Sequence, residues 1–223
     1  VRRTILVLFV AALVAGCGGK ARETGGGTGT VGGSTQQAAS GGCKRVLAPA
    51  AKPDGSEKAP TAKLDPAKTY EVTFQTTCGN FTITLDQKQS PNAAAAFASL
   101  AKAGFFDNTT FHRIVPGFVI QGGDPTATGT GGPGFKTVDT PPAGAKYVRG
   151  VVAMAKTSAE AAGTAGSQFF VVTGADIGLP PDYAIVGKVT NGMPVVQKIG
   201  QLGDASEAPT QPVVVSRVLV SES

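Results

Sequence analysis

Phe111-His112-Arg113-Ile114-Val115-Pro116-Gly117-Phe118-Val119-Ile120-Gln121-Gly122-Gly123-Asp124 decides how the rest of the chain is read. Two short extended runs, Thr110 to Val115 and Phe118 to Gln121, meet at the turn pair Pro116-Gly117, so the spacing predicts a β-hairpin. Folded back at that turn, one surface carries Arg113, Phe118 and Gln121 together. A guanidinium with its fixed fork of donors, an amide able to hold that fork, and an aromatic floor suit an apolar ligand with one polar group to orient.

Outward from this stretch the local patterns are those of a mainly β domain. Upstream, Tyr70, Val72 and Phe74 alternate with polar residues, and the alternation resumes at Phe81, Ile83 and Leu85 after Thr77-Cys78-Gly79-Asn80, which predicts a hairpin with one buried face. Ser90-Pro91 supplies a helix N-cap and first-turn proline, Ala93 to Ala103 continue the helix, and Gly104 ends it. Its apolar side, Ala93, Ala96, Phe97, Leu100 and Ala101, is expected in the core. Downstream, Val151 to Ala155, Gln168 to Val172, Tyr183 to Val189 and Val213 to Val220 read as strands, and Met193 to Gly200 as a short helix. Many short strands, two helices and no βαβ alternation argue for a closed antiparallel barrel capped by helices.

Gly129-Thr130-Gly131-Gly132-Pro133-Gly134 formally matches a dinucleotide-binding pattern. No helix opens cleanly at Pro133-Gly134 and no βαβ unit surrounds it, so it is read as a tight loop. The formal charge of +5 lies outside the predicted domain: residues 70–223 hold ten Lys or Arg against eleven Asp or Glu. That balance offers no footprint for a nucleic-acid backbone.

The N-terminal part has a different character. Arg2-Arg3 precede an apolar run from Ile5 to Val14, a signal-peptide layout too short for a transmembrane helix. The following Leu13-Val14-Ala15-Gly16-Cys17 resembles a bacterial lipobox. The expected organisation is a signal peptide over 1–16, a chain lipidated at Cys17 with a flexible Gly/Pro-rich tether to residue 69, and a folded domain over 70–223. Gly18 to Gly42 buries too little apolar surface to offset its ordering entropy, and Lys44 to Lys68 is expected to stay extended. With Cys17 set aside, Cys43 and Cys78 remain, either bridged in an oxidising compartment or left as two independent thiols.

The central stretch resembles the signature of the cyclophilins, the peptidyl-prolyl cis/trans isomerases, and Gly166-Ser167-Gln168-Phe169-Phe170 resembles their second signature. The resemblance covers roughly residues 70 to 221. It implies an eight-stranded closed β-barrel capped by two α-helices and an isomerase that needs no metal or cofactor. Its implied partners are proline-containing polypeptides. Arg113, Gln121 and Phe118 take the catalytic positions. Val119, Phe170 and Leu179 complete the apolar pocket for the proline ring, while His112, Gly129, Ala155, Lys156, Gln168 and Tyr183 border the substrate groove. Phe118 and Phe170 also read as plain core, Leu179 as loop packing, and Arg113 as a surface salt-bridge partner. The single histidine, His112, is not read as a general base, because isomerisation transfers no proton.

Departures from the pattern are visible. Val119 stands where many members carry Met, Lys156 where many carry Asn, and Tyr183 where many carry His; Tyr183 is expected to hydrogen-bond from the groove wall. The chain has no Trp, and Gly178 occupies the position whose Trp accompanies cyclosporin sensitivity. The expected function is a monomeric prolyl isomerase assisting exported proteins, lipid-anchored at the outer face of the bacterial cytoplasmic membrane. The alternative is a proline-peptide binding module or chaperone without catalysis.

Overall fold

A computed structural model describes residues 42–223. The expected signal peptide, Cys17 and the Gly-rich stretch to residue 41 lie outside the described residues. The alternating run from Tyr70 forms β1 (Tyr70–Thr76) and β2 (Gly79–Leu85), paired antiparallel with Phe74 opposite Phe81. The helix that follows, α1 (Pro91–Lys102), turns its alanines and Phe97 inward. Ser90 precedes it but makes no side-chain cap; instead Asp139 accepts the Ala93 N–H at 2.6 Å and an Asn92 amide hydrogen at 2.8 Å. A carboxylate from 46 residues downstream thus fills the cap that Ser90 was expected to provide.

After α1 come β3 (Thr109–Thr110), β4 (Arg113–Val115) and β5 (Val119–Gly122), then β6 (Thr137–Val138), β7 (Val151–Met154), β8 (Thr164–Ala165) and β9 (Phe169–Val172). The chain finishes with β10 (Ile185–Asn191), α2 (Met193–Gly200) and β11 (Val214–Glu222). Nine strands form one antiparallel sheet in the order β3-β11-β1-β2-β10-β7-β9-β5-β4, and β6 pairs with β8 separately.

The sheet is curled but its ladder is open, which corrects the expected closed eight-stranded barrel. The edge strands β3 and β4 are consecutive in the chain, so Phe111-His112 alone keep the two edges within a few residues' reach. They do not pair with each other. β3 bonds to β11, while Ile114 N–H on β4 donates to the carbonyl of Glu207 at 2.8 Å. The run expected as one strand from Thr110 to Val115 is therefore cut in two at the point where the chain passes between edges.

On β7 and β9, period-two alternation sends successive residues to two different apolar clusters. On β9, Phe169 and Val171 join the main core, and Phe170 and Val172 a second cluster. On β7, Val152 and Met154 face the core and Val151 and Ala153 the second cluster. The core holds Phe74, Phe81, Phe97, Phe106, Phe111 and Phe169, with ring centroids 5.1–6.2 Å apart in tilted, stacked and edge-on pairs. The second cluster, around Val119, Tyr147 and Phe170, is packed by Phe118, Leu179 and Tyr183. The site is built on that outer face.

Residues 44–68 contain no helix or strand, as expected of an extended segment, but the part of the tether from Cys43 onward is fastened rather than free. Cys43 is disulfide-bonded to Cys78. Lys44 N–H donates to Thr77, Lys52 N–H to Pro125, Gly55 N–H to Gly132 and Glu57 N–H to Pro133, each at 2.8–2.9 Å. The Lys52 ammonium donates to the carbonyls of Phe105 at 2.6 Å and Asp107 at 2.9 Å just beyond α1. These donors find fixed acceptors on the domain, which composition alone does not disclose.

Candidate active site

Pro116-Gly117 closes the β4–β5 hairpin with Arg113 opposite Gln121 and Val115 opposite Val119. Gly117 takes a positive φ of 71°, which the turn requires and glycine accepts without strain. Direct pairing puts both polar side chains on one face, and Arg113 Nη1 donates to Gln121 Oε1 at 3.3 Å. Gln121 Nε2 donates to Gln168 Oε1 at 3.0 Å, and Gln168 Nε2 reaches the carbonyls of Gly129 and Gly131, both at 2.9 Å. A line of side-chain hydrogen bonds therefore crosses from the hairpin to the Gly-rich loop.

Asp124 holds that loop. Fully buried, it accepts the N–H groups of Thr126, Gly129 and Gly131 and the Thr126 hydroxyl. Burial, the largest single influence, pushes its carboxyl up, but the Thr126, Gly129 and Gly131 donors together outweigh it and leave the group below its ordinary value. The loop is a tight turn with no helix after it, which excludes the dinucleotide reading.

Beside the hairpin lies a cavity of about 320 Å³ lined by Arg113, Phe118, Val119, Gln121, Ala155, Lys156, Phe170, Leu179 and Tyr183. Nine of the twelve residues expected at the site thus share one pocket. Gly129 and Gln168 line an adjoining cavity of about 430 Å³, which shares Gln121, Ala155 and Lys156 with the first and has Asp54 at its rim. His112 lines neither. It is half-buried under the Gly-rich loop, and neither ring nitrogen has a hydrogen-bond partner. Burial, the largest influence, lowers its pKa; the Asp124 charge pulls it up, the Arg113 charge lowers it and Gln168 raises it least, with a net value below the ordinary one, so the ring is neutral at pH 7. The Gln168 amide is spent on Gly129 and Gly131 and makes no well-aligned bond to it.

Lys156 and Tyr183 border the groove in different ways. The Lys156 side chain is only 3% exposed, and its ammonium turns to Asp182 at 2.6 Å and the Glu160 carbonyl at 3.1 Å, 5.5 Å from the Tyr183 ring centroid. It pins the 156–166 loop rather than presenting charge to the groove. Tyr183 packs edge-on against Phe170, with centroids 5.4 Å apart, and its backbone rather than its hydroxyl bonds Tyr147. Its ring thus forms part of the pocket's aromatic wall. Two acidic residues were missed. Asp124 followed by Thr126 and four glycines was a legible turn signal, whereas Glu207, at 2.6 Å from Arg113 Nε, left no local trace.

A pocket walled by Phe118, Val119, Phe170 and Leu179, with one oriented guanidinium at its edge, suits an apolar ring presented beside a polar group. The family model described as cyclophilin type peptidyl-prolyl cis-trans isomerase/CLD matches residues 71–220, and the chain belongs to that family of isomerases. Similar proteins include a peptidyl-prolyl cis-trans isomerase-like 1 of Aspergillus fumigatus, 38% identical over 68% of this chain and 96% of the relative. A peptidyl-prolyl cis-trans isomerase of Helicobacter pylori is also 38% identical, over 65% of this chain and 95% of its own length. Among solved structures, a Cryptosporidium parvum cyclophilin type peptidyl-prolyl cis-trans isomerase matches with TM-score 0.64 and 32% identity over 69% of this chain and 98% of that one. The same protein was solved in the presence of the dipeptide Ala-Pro, matching with TM-score 0.63 and 33% identity over 68% of this chain and 98% of that one.

Proposed function

We propose that this isomerase acts on exported polypeptides, with Arg113, Gln121 and Phe118 as its catalytic residues, and that Cys17 carries a lipid anchoring it outside the cytoplasm. The observation that carries the site assignment is the shared pocket with Arg113 bonded to Gln121 at its edge. A prolyl bond crosses a barrier of ~20 kcal/mol because amide resonance must be broken. Catalysis requires only that the twisted amide be bound better than either planar form.

Phe118, Val119, Phe170 and Leu179 hold the proline ring while the rest of the peptide turns. As the amide twists, its nitrogen gains lone-pair character, and the Arg113 guanidinium donates to it. Gln121 keeps the guanidinium in place. The relative crystallised with Ala-Pro supports a proline-containing ligand. The Cys43–Cys78 bridge supports an oxidising compartment, and the Leu13 to Cys17 run supports lipidation there.

A protease-coupled proline-peptide assay tests the catalytic assignment. Arg113→Ala is expected to lose roughly a hundredfold in kcat/KM, ~2.7 kcal/mol of transition-state stabilisation, with peptide binding largely kept. Equal rates for the two proteins would remove Arg113 from the mechanism. Intact mass of the membrane-extracted protein tests the anchor: an acyl adduct on a chain starting at Cys17 is expected, and its absence would defeat the location.

A further inference from the structure

Resting on the assignment of Arg113 above, we infer that Glu207 is the positioning residue that sets the plane of the catalytic guanidinium. Arg113 Nε donates to Glu207 Oε2 at 2.6 Å, and Nη1 donates to Gln121 Oε1 at 3.3 Å. A guanidinium is planar, so two acceptors on different edges leave it one orientation, with its remaining donors free for substrate. Gln121 alone, through one longer bond, leaves rotation about that contact open. Glu207 removes it. Among the described residues, Glu207 is the single acidic partner of Arg113.

The backbone at Glu207 is an independent observation. Its φ of 64° lies in the left-handed region, which Glu disfavours and glycine accepts freely. The surrounding loop enforces that conformation. The Asp204 carboxylate accepts the Ser206 and Ala208 N–H groups and the Ser206 hydroxyl, Asp204 N–H donates to Ala208, and Glu207 N–H donates to Asp204. The Glu207 carbonyl accepts Ile114 N–H at 2.8 Å, docking the loop on β4 next to Arg113 itself. A strained residue over-determined by its neighbours and aimed at a reacting group is the pattern of a functional constraint. A purely structural role would be better served by glycine.

That contrast defines the test. The full chain carrying Glu207→Gly, Glu207→Gln or Arg113→Ala is compared with wild type for kcat, KM and unfolding midpoint. Glu207→Gly is expected to keep or raise the midpoint while lowering kcat roughly fivefold, with KM nearly unchanged because the proline pocket is untouched. Glu207→Gln, whose amide oxygen still accepts from Nε, is expected to restore the rate to within about twofold of wild type. If Glu207→Gly keeps the wild-type rate, or exceeds it, while Arg113→Ala is impaired, Glu207 does not position the guanidinium. If Glu207→Gln is as impaired as Glu207→Gly, the hydrogen bond is not what matters and the inference fails equally. Wild-type rates in Arg113→Ala would instead overturn the site assignment on which the inference rests.

Discussion

Arg113 is placed by its hairpin partner, while His112 and Asp124 nearby make the stability of the fold depend on pH. His112 is neutral because burial depresses its pKa below the ordinary 6.5. The unfolded chain takes up a proton near 6.5 and the folded chain only at lower pH, so the stability from burying the neutral ring is complete above 6.5. It falls as pH drops from there. Thermal unfolding between pH 7.5 and 5 is expected to show this decline in wild type and a flatter profile in His112→Gln. Asp124 acts in a lower window. Its folded pKa is depressed below the ordinary 3.8, so its contribution is complete above 3.8 and is lost as pH falls through the folded value. Because neither group transfers a proton in the reaction, kcat/KM is expected to stay level from pH 6.5 to 8.5, where the stability contributions of both groups are complete. A sharp bell-shaped profile would point to acid-base chemistry that isomerisation does not need.

Strand β9 carries the clearest test at the level of elements. Phe169 and Phe170 are neighbours in sequence, yet alternation sends Phe169 into the aromatic core and Phe170 into the wall of the pocket. Phe169→Ala is expected to cost ~3–5 kcal/mol of stability through the cavity it leaves against Phe74, Phe97 and Phe111. Phe170→Ala should cost less stability, since its side opens on the groove, and should raise KM for proline peptides. Chemical denaturation and steady-state kinetics on the two variants separate the effects, and equal kinetic damage would contradict the two-face assignment. The hairpin of β4 and β5 was legible for the same reason as β9: two-residue periodicity and a Pro-Gly turn are local signals. The cap on α1 was not, because Asp139 belongs to another loop and Ser90 offered a plausible nearer substitute. Strands β6 and β8, two residues each, are too short to leave a periodic pattern.

Across the whole molecule, the segment from Cys43 to Glu57 ties the first hairpin, the end of α1 and the Gly-rich loop together. Closing 35 residues of chain with a disulfide restricts the unfolded state, by ~2–4 kcal/mol on the chain-entropy account. Reduction, or the Cys43→Ser/Cys78→Ser pair, is expected to lower the unfolding midpoint by several degrees. Because Gly55 and Asp54 bond the Gly-rich loop beside the second cavity, reduction should also weaken binding of peptides long enough to reach that cavity, with smaller effect on a dipeptide. Calorimetry with and without reductant, together with titrations of short and long proline peptides, measures both. An unchanged midpoint would mean that the hydrogen bonds of residues 44–57 hold the segment unaided.

The amino-acid order alone determined the strands and helices with strong periodicity, the pairing of Arg113 with Gln121, and the membership that two signatures announce. Each depends on residues close in the chain, where pleat, turn chemistry and capping leave a repeating trace. Only the tertiary structure decided that the sheet stays open, that the segment after Cys43 is strapped down, and that Glu207 meets Arg113 from 94 residues away. Those outcomes depend on which distant groups the fold brings within hydrogen-bonding reach, and no local pattern encodes that distance.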